Sequence, residues 1–410
     1  MREATDYDII IAGGGMIGTS LALALAPLGV RVAMVEAVAR AEPEQPSFDE
    51  RSTALSRSSQ RMFEAMGLWG EIKAASTPIR SIHVSEKGRF GFSHIDAKEQ
   101  KVEALGYVVI NRVLGRVLQL TLEQQKNVDV MCPARITGVH NDDERTLVSI
   151  DEAGAVRKLS CGLLVAADGA RSTVRELLGI SATQVDYGQH AVVGNVRTER
   201  PHENRAYERF TDTGPLAMLP VENDRTAFVW IVPSGDVEQI LSLDDEMFTA
   251  RLQELFGMRL GRFSKVGTRA AYPLSLSKAN GLAVKRGVVV GNAAHGLHPV
   301  AAQGFNLGLR DVAALSECIS DARIDGQVDP GREDILENYV SWRQADQAKL
   351  VRFTDGIVRL FGSRLPVVRT LRNFGMLGFD LIPGVRGLFA KHTMGLAGKL
   401  PRLSRGVPLE

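Results

Sequence analysis

The chain has 410 residues, enough for a full core and more than one domain. Its 49 Lys and Arg against 48 Asp and Glu leave a formal net charge of +1, so no basic field points to nucleic acid. Cys132, Cys161 and Cys318 form neither a disulfide framework nor a CxxC site, and no apolar run is long enough to span a bilayer.

The opening Met1-Arg2-Glu3-Ala4-Thr5-Asp6 lacks the apolar stretch of a signal peptide, and the three cysteines suit a reducing cytoplasm. Tyr7 to Ala12 reads as a short buried strand. Gly13-Gly14-Gly15-Met16-Ile17-Gly18 follows, then helix formers from Thr19 to Ala26, then a second apolar run from Val30 to Val35 that delivers Glu36. In such a βαβ unit Gly13 permits the tight turn, Gly15 lets backbone approach a pyrophosphate, and Gly18 lets helix and strand pack closely. Met16 and Ile17 open a helix whose free N–H groups face phosphate, and Glu36 can accept from ribose hydroxyls. The pattern predicts dinucleotide binding, with FAD and NAD both open at this point.

The proline-rich, acidic stretch from Ala41 to Ser47 reads as a loop. Arg51 beyond it is either a cation near phosphate or flavin, or a surface arginine at a helix start. Alternating segments around Lys87-Gly88 predict a hairpin between Ser81 and Ile95. A helix is expected from Asn111 to Gln125, with Leu114, Val117, Leu118 and Leu122 facing the core and Asn111 and Arg112 as candidate cofactor contacts.

Two further apolar strands each end on a polar residue. Leu163 to Ala167 runs into Asp168-Gly169 and a helix carrying Arg171 and Arg175. Gly287 to Val290 runs into Gly291-Asn292 and on to His295, His298-Pro299 and Gln303-Gly304-Phe305-Asn306, before a helix from Leu309 to about Ile319. Between these markers, His190–Thr198, Arg205–Thr211, Pro215–Pro220 and Thr226–Val232 read as strands of an antiparallel sheet, with a helix over Asp244–Phe256.

Three markers in this order resemble the group A flavoprotein aromatic hydroxylases, which have the para-hydroxybenzoate hydroxylase fold. His298 to Asp311 is similar to the signature of the ubiquinone-biosynthesis hydroxylases. Gly291-Asn292-Ala293-Ala294, Phe305-Asn306-Leu307-Gly308 and Arg205-Ala206-Tyr207-Glu208-Arg209-Phe210-Thr211 most resemble their UbiH-type, 2-octaprenyl-6-methoxyphenol hydroxylase branch. Asn292 stands where the broader fold usually has aspartate, keeping an acceptor without the charge, and Ala302 stands where a glycine is expected.

The resemblance implies an α/β fold: a Rossmann-like FAD-binding domain (1–80, 104–180, 268–352), an inserted antiparallel β-sheet substrate domain (81–103, 181–267), and a basic C-terminal helical tail (353–410). It implies FAD on Gly13, Gly15, Met16, Ile17, Gly18, Glu36, Arg51, Arg112, Asp168, Asn292, Pro299, Gly304, Phe305 and Asn306. The helix after Asn306 would aim its N-terminus at the flavin. NAD(P)H would act as a transient cosubstrate near Asp168, Arg171 and Arg175, the alternative for Arg175 being a helix-surface salt bridge. The chemistry implied is hydroxylation of a polyprenylated phenol by O₂ through a flavin C4a-hydroperoxide, which needs no metal. Candidates near the reacting ring are His298, Gln303 and Tyr207, with Tyr272 and Arg209 expected to face the same pocket. His295 and His298, which show no carboxylate partner in the sequence, read as loop-structuring residues.

Between Lys349 and Arg405 stand eleven Lys or Arg and only two acids, among apolar clusters at Ile357–Phe361, Leu377–Ile382 and Leu388-Phe389. Such segments suit either a membrane interface or the protein's own core, and a lipid substrate favours the interface over 353–400. The expected location is cytoplasmic and peripheral on the inner membrane face, with a ubiquinone-biosynthesis complex as a further partner. Rival readings are hydroxylation of another ring position or another phenol, a flavin halogenase, and a non-catalytic FAD-binding subunit.

Overall fold

A computed structural model describes residues 5–39, 51–89, 91–222, 224–296, 303–362 and 385–409, apart from the side chains of 303, 349–362, 385, 386 and 388. His298, Pro299 and Ala302 therefore lie outside the described residues, as do the apolar cluster expected at 377–382 and the side chains of the one at 357–361.

The first sheet is mainly parallel. It runs β18 (Ala283–Val284), β19 (Gly287–Val289), β11 (Ala155–Ala166), β1 (Tyr7–Ala12), β2 (Val32–Val35), β8 (Val128–Met131), with β10 (Thr146–Glu152) and β9 (Arg135–Asn141) continuing from β11 as an antiparallel extension. Its central strands are continuous apolar runs because helices cover both faces. Ile9, Ile10, Ile11 and Leu163 to Ala166 are fully buried in one core. That core includes α1 (Met16–Leu25), α2 (Arg57–Ala65), α3 (Trp69–Ala74), α4 (Asn111–Leu122), α5 (Thr173–Leu177) and later helices described below.

The second sheet runs β20 (His295–Gly296), β17 (Ala270–Ala279), β12 (Ala182–Thr198), β15 (Arg225–Pro233), β14 (Gly214–Pro220), β13 (Arg205–Thr211), β5 (Ser81–Glu86), β6 (Phe92–Asp96), with β16 (Phe263–Val266) also on β12. The expected hairpin is the β5–β6 pair, His83 opposite His94. One boundary needs correction. Ala270–Ala279, expected beyond the inserted sheet, is one of its long strands, paired with β12 from Ala182↔Ala279 to Val193↔Ala270. Its partial alternation gives no hint of which sheet it joins; only the long-range pairing does. β12 itself starts at Ala182, earlier than expected, because a register shift between Asp186 and Gln189 lets it keep pairing past Gly188.

A small third sheet, β3 (Ser52–Ser56), β7 (Gly106–Ile110) and β4 (Ser76–Ile79), lies between the two. The outer face of the large sheet is closed by α6 (Val237–Ser242) and α7 (Asp245–Phe256), whose Phe248, Leu252 and Phe256 pack on Val192, Leu216, Met218, Phe228 and Trp230.

The C-terminal half adds α8 (Gln303–Ile324), α9 (Glu333–Gly362), α10 (Val385–Thr393) and α11 (Arg402–Arg405). Where it is described, the tail packs inward. Phe389, Ala390 and Met394 join Ile79, Val108 and Ala206, while Leu403 and Leu409 join the main core. The Arg402 guanidinium bonds Asp321, its backbone N–H donates to Glu317, and Trp342 Nε1 donates to Lys399 O at 2.9 Å. For 385–409 the structure thus favours the protein's own core over a membrane interface.

Candidate active site

The three sequence markers, more than a hundred residues apart, end on neighbouring parallel strands. β19, β11, β1 and β2 lie side by side, so Gly291-Asn292, Asp168-Gly169, the glycine turn and Glu36 share the C-terminal edge of the sheet. That edge is where open α/β sheets bind ligands.

At the first turn Gly13 has φ +102°, and a Cβ there would lie 2.6 Å from Ala167 O. A Cβ on Gly18 would lie 1.9 Å from Gly13 O, so only glycine lets α1 close on the turn. The N-terminus of α1 has no side-chain cap and no acid in its first turn, leaving its N–H groups for an anion. Met16 and Ile17 are partly exposed there.

Glu36 leaves the end of β2 with Oε2 accepting from Gly14 N at 2.6 Å and Oε1 from Val38 N at 2.7 Å. A carboxylate has about four lone-pair sites, so it can hold the turn and still accept from a ribose. These residues fit a dinucleotide: an uncapped helix start for the pyrophosphate and an oriented carboxylate for the sugar.

Around this cradle, Arg51 sits with its guanidinium 4.3 Å from the centroid of the Tyr272 ring, which bridges the small sheet and the large one. Its carbonyl accepts from Asn111 N at 2.8 Å, while the Asn111 side chain accepts from Thr53 Oγ1 at 2.6 Å. Arg112 is exposed at the start of α4, and Asn292 is exposed on its short turn.

Asp168 takes the Ser172 hydroxyl and, at 3.1 Å, Val174 N, so it also shapes the start of α5. The salt bridge considered for Arg175 forms only loosely, with its Nη2 3.8 Å from Oε1 of the exposed Glu176. The Arg175 side chain is buried and donates to Ala170 O at 3.2 Å and Ala293 O at 3.1 Å, tying the second marker to the third. Arg171 is exposed.

On α8, Gly304 has no atom of a described residue within 4 Å of where a Cβ would stand, and Phe305 is partly exposed. The Asn306 side chain is turned away into protein. Its Oδ1 accepts from Ser56 N at 2.8 Å and Ser59 Oγ at 2.7 Å, and its Nδ2 donates to Ala54 O at 2.9 Å. What Asn306 offers a flavin is therefore its backbone at the helix start.

The reading of His295 as lacking a carboxylate partner is overturned. Its Nε2 donates to Asp311 Oδ2 at 2.6 Å, both side chains buried. The same oxygen accepts from Gly291 N at 3.0 Å. Asp311 Oδ1 accepts from Arg343 Nε at 2.7 Å and Gln347 Nε2 at 3.1 Å. Burial works to raise the Asp311 carboxyl, but His295 and Arg343 hold it well below the usual carboxylate range. Asp311 closes the His298–Asp311 stretch, 16 residues from its histidine, a distance in sequence that hid the pairing.

Tyr207 and Arg209 also need correction. They lie on the outer face of the large sheet, away from the strand-end cleft. Tyr207 packs edge-on to Phe256 at 5.2 Å, and Arg209 Nε donates to Leu255 O at 2.8 Å under α7. Alternation along β13 puts Ala206, Glu208 and Phe210 on the opposite, inner face, with Tyr272.

The FAD binding domain family matches residues 6–354. Ubiquinone hydroxylase UbiL of Rhodospirillum rubrum is 38% identical over 408 residues, spanning 98% of this chain and 93% of that protein. 3-demethoxyubiquinol 3-hydroxylase of Escherichia coli is 30% identical over 398 residues, spanning 95% of this chain and 98% of that protein. Ubiquinone biosynthesis monooxygenase COQ6 of Xenopus tropicalis is 28% identical, spanning 93% and 91%. The chain belongs to the UbiH/Coq6-type family of FAD-dependent hydroxylases.

As a member of the UbiH/Coq6-type family it is an FAD-dependent monooxygenase, with FAD as its cofactor. The crystal structure of p-nitrophenol 4-monooxygenase PnpA from Pseudomonas putida superposes with a TM-score of 0.79 at 18% identity, covering 97% of this chain and 100% of that one. The two share the fold.

Proposed function

We propose that the protein hydroxylates a polyprenylated phenol, 2-polyprenyl-6-methoxyphenol, in ubiquinone biosynthesis, with NAD(P)H and O₂ as cosubstrates. Support comes from full-length similarity to proteins named for ubiquinone hydroxylation. The observation that carries the reading is the inner face of the large sheet. Val84, Ala217, Val229 and Val193 lie there in one cross-strand row, all partly exposed, whereas the outer face is sealed under α7. An apolar wall left open beside a dinucleotide cradle suits a lipophilic ring and excludes bulk water from it.

FAD supplies the activation of O₂ and the transfer of one oxygen atom. The chain holds that cofactor on the turn at Gly13–Gly18 and on Glu36, fixes the Gly291 turn through Asp311, and offers the start of α8 to the flavin ring. Arg51 over Tyr272 stands between the small sheet and the large one, where cofactor and substrate would meet. The described helices are none of them long and apolar enough to cross a membrane. We place the enzyme at the cytoplasmic membrane surface, where its lipid substrate resides, next to other enzymes of the pathway.

The test is the mass spectrum of quinone precursors in source cells lacking the protein. A polyprenyl-methoxyphenol missing one ring hydroxyl is expected to accumulate. Accumulation of a different precursor would move the ring position, and a normal quinone profile would overturn the pathway assignment.

A further inference from the structure

Glu208 is the one residue of the Arg205–Thr211 segment whose chemistry remains unused. On β13 it stands opposite Ala217 of β14 and Val84 of β5, and Val229 and Val193 continue the row. Its carboxyl is thus set in an apolar wall. It makes no hydrogen bond or ion pair with any described residue, whereas its neighbours Tyr207 and Arg209 are engaged on the other face. The nearest acid in the lattice of that face is Glu86 of β5, diagonal to it and opposite Phe210; β14, β15 and β12 present only Ala217, Val229 and Val193 at this level.

Two contacts locate this wall relative to the cofactor side. Ala206, one step along the same face, packs in the cluster that holds Val108 and Ala54, and the Ala54 carbonyl accepts from Asn306 at the start of α8. Tyr272, farther across the face, lies under Arg51. Glu208 lies between these points, on a stretch that is partly exposed rather than packed. A carboxylate in an apolar wall without a partner has an unfavourable environment unless a ligand supplies a donor.

We propose that Glu208 is a catalytic residue, the general base that accepts the phenolic proton of the substrate as the ring is hydroxylated. The proposal rests on the phenol reading above. As a ring carbon forms its bond to the incoming oxygen atom, the phenolic O–H bond breaks toward Glu208 and its electron pair flows into the ring. The O–O bond breaks as the C–O bond forms, its electron pair staying on the second oxygen atom; that oxygen takes up the displaced ring C–H proton, aromaticity is restored, and Glu208 returns its proton to the ring oxygen. NAD(P)H supplies the two electrons, and the second oxygen atom of O₂ leaves as water. Burial pushes the Glu208 carboxyl up to about 7, which matches a base working near neutral pH.

The experiment uses the full-length FAD-loaded protein, wild type and Glu208→Gln, with Glu208→Asp as the conservative variant. In the oxidised protein without NAD(P)H, binding of a 2-alkyl-6-methoxyphenol and of its methyl ether is titrated from pH 6 to 8 by flavin absorbance. In the wild type, preference for the phenol should rise about tenfold over that range, because only the phenol can donate to the carboxylate. In Glu208→Gln it should stay flat.

Turnover of the phenol should fall about a hundredfold or more in Glu208→Gln, with the limb near pH 7 lost. An alkylated nitrophenol, already ionised at pH 8, should lose far less, and Glu208→Asp should restore part of the pH limb. Equal pH dependence of binding and turnover in wild type and Glu208→Gln would overturn the base while leaving the phenol reading intact. A wild type that neither binds the phenol nor couples it to NAD(P)H oxidation would overturn both. FAD content should match wild type and the unfolding midpoint at neutral pH should be no lower, since an unpaired carboxyl is being neutralised.

Discussion

His295 donates to Asp311 across 2.6 Å inside a core that admits no solvent, and the same carboxylate oxygen accepts the backbone N–H of Gly291. One buried charge therefore fixes the turn that carries Asn292. Asp311→Asn removes the charge that His295 and Arg343 Nε face, leaving Asp346 as the remaining carboxylate on Arg343, and a cost of about 3–5 kcal/mol is expected from denaturant unfolding. The pH dependence has a definite sign. The folded carboxyl lies below its ordinary 3.8, so its contribution is complete above that value and is lost as pH falls through the acid range below about 4. The difference between wild type and Asp311→Asn should shrink there and be constant at neutral pH.

His83 gives a second pH window. Its Nδ1 lies 2.7 Å from His94 Nε2, and burial, helped by Arg259, His94, Arg205 and Arg209, pushes it down to about 3. The unfolded chain takes up this proton near 6.5 and the folded one does not. Stability is therefore expected to fall between pH 6.5 and 3 by up to roughly 1.4 kcal/mol per pH unit. His83→Phe, among Phe92 and Tyr207, should flatten that slope in acid titrations of unfolding.

Glu36 secures Gly14 and Val38 while facing the dinucleotide cradle. Glu36→Ala removes charge-assisted bonds of about 1.5–3 kcal/mol each, so FAD should bind at least tenfold more weakly in a fluorescence titration of apoprotein. Retention of wild-type affinity would remove Glu36 from the FAD site.

Gly18→Ala forces a methyl to 1.9 Å from Gly13 O. The turn must open, at a cost of about 1–3 kcal/mol, and the purified protein should carry visibly less flavin absorbance than wild type.

Tyr207→Phe should leave turnover within about twofold of wild type, because the ring packs in the outer core and its hydroxyl is not directed at the cleft. A large loss of turnover at unchanged stability would contradict this placement.

Local chemistry alone made much of this protein legible in its sequence. The βαβ turn, Glu36 and the apolar strands ending at Asp168 and Asn292 are each encoded within a few residues, because glycine conformation, helix starts and buried-strand composition are short-range properties. The Arg205–Thr211 segment was equally visible as a strand. What the sequence did not decide was which way side chains face and which distant elements meet. Tyr207 and Glu208 differ by one residue, so the face each occupies depends on the register with β5 and β14. Asp311 meets His295, Arg343 and Gln347 only when α8 and α9 stack on the Gly291 turn. Phe389 reads as an amphipathic tail residue until α10 returns to cover Val108 and Ala206. A helix with one apolar face is satisfied equally by a membrane or by a core, and only the tertiary fold brings that core within reach.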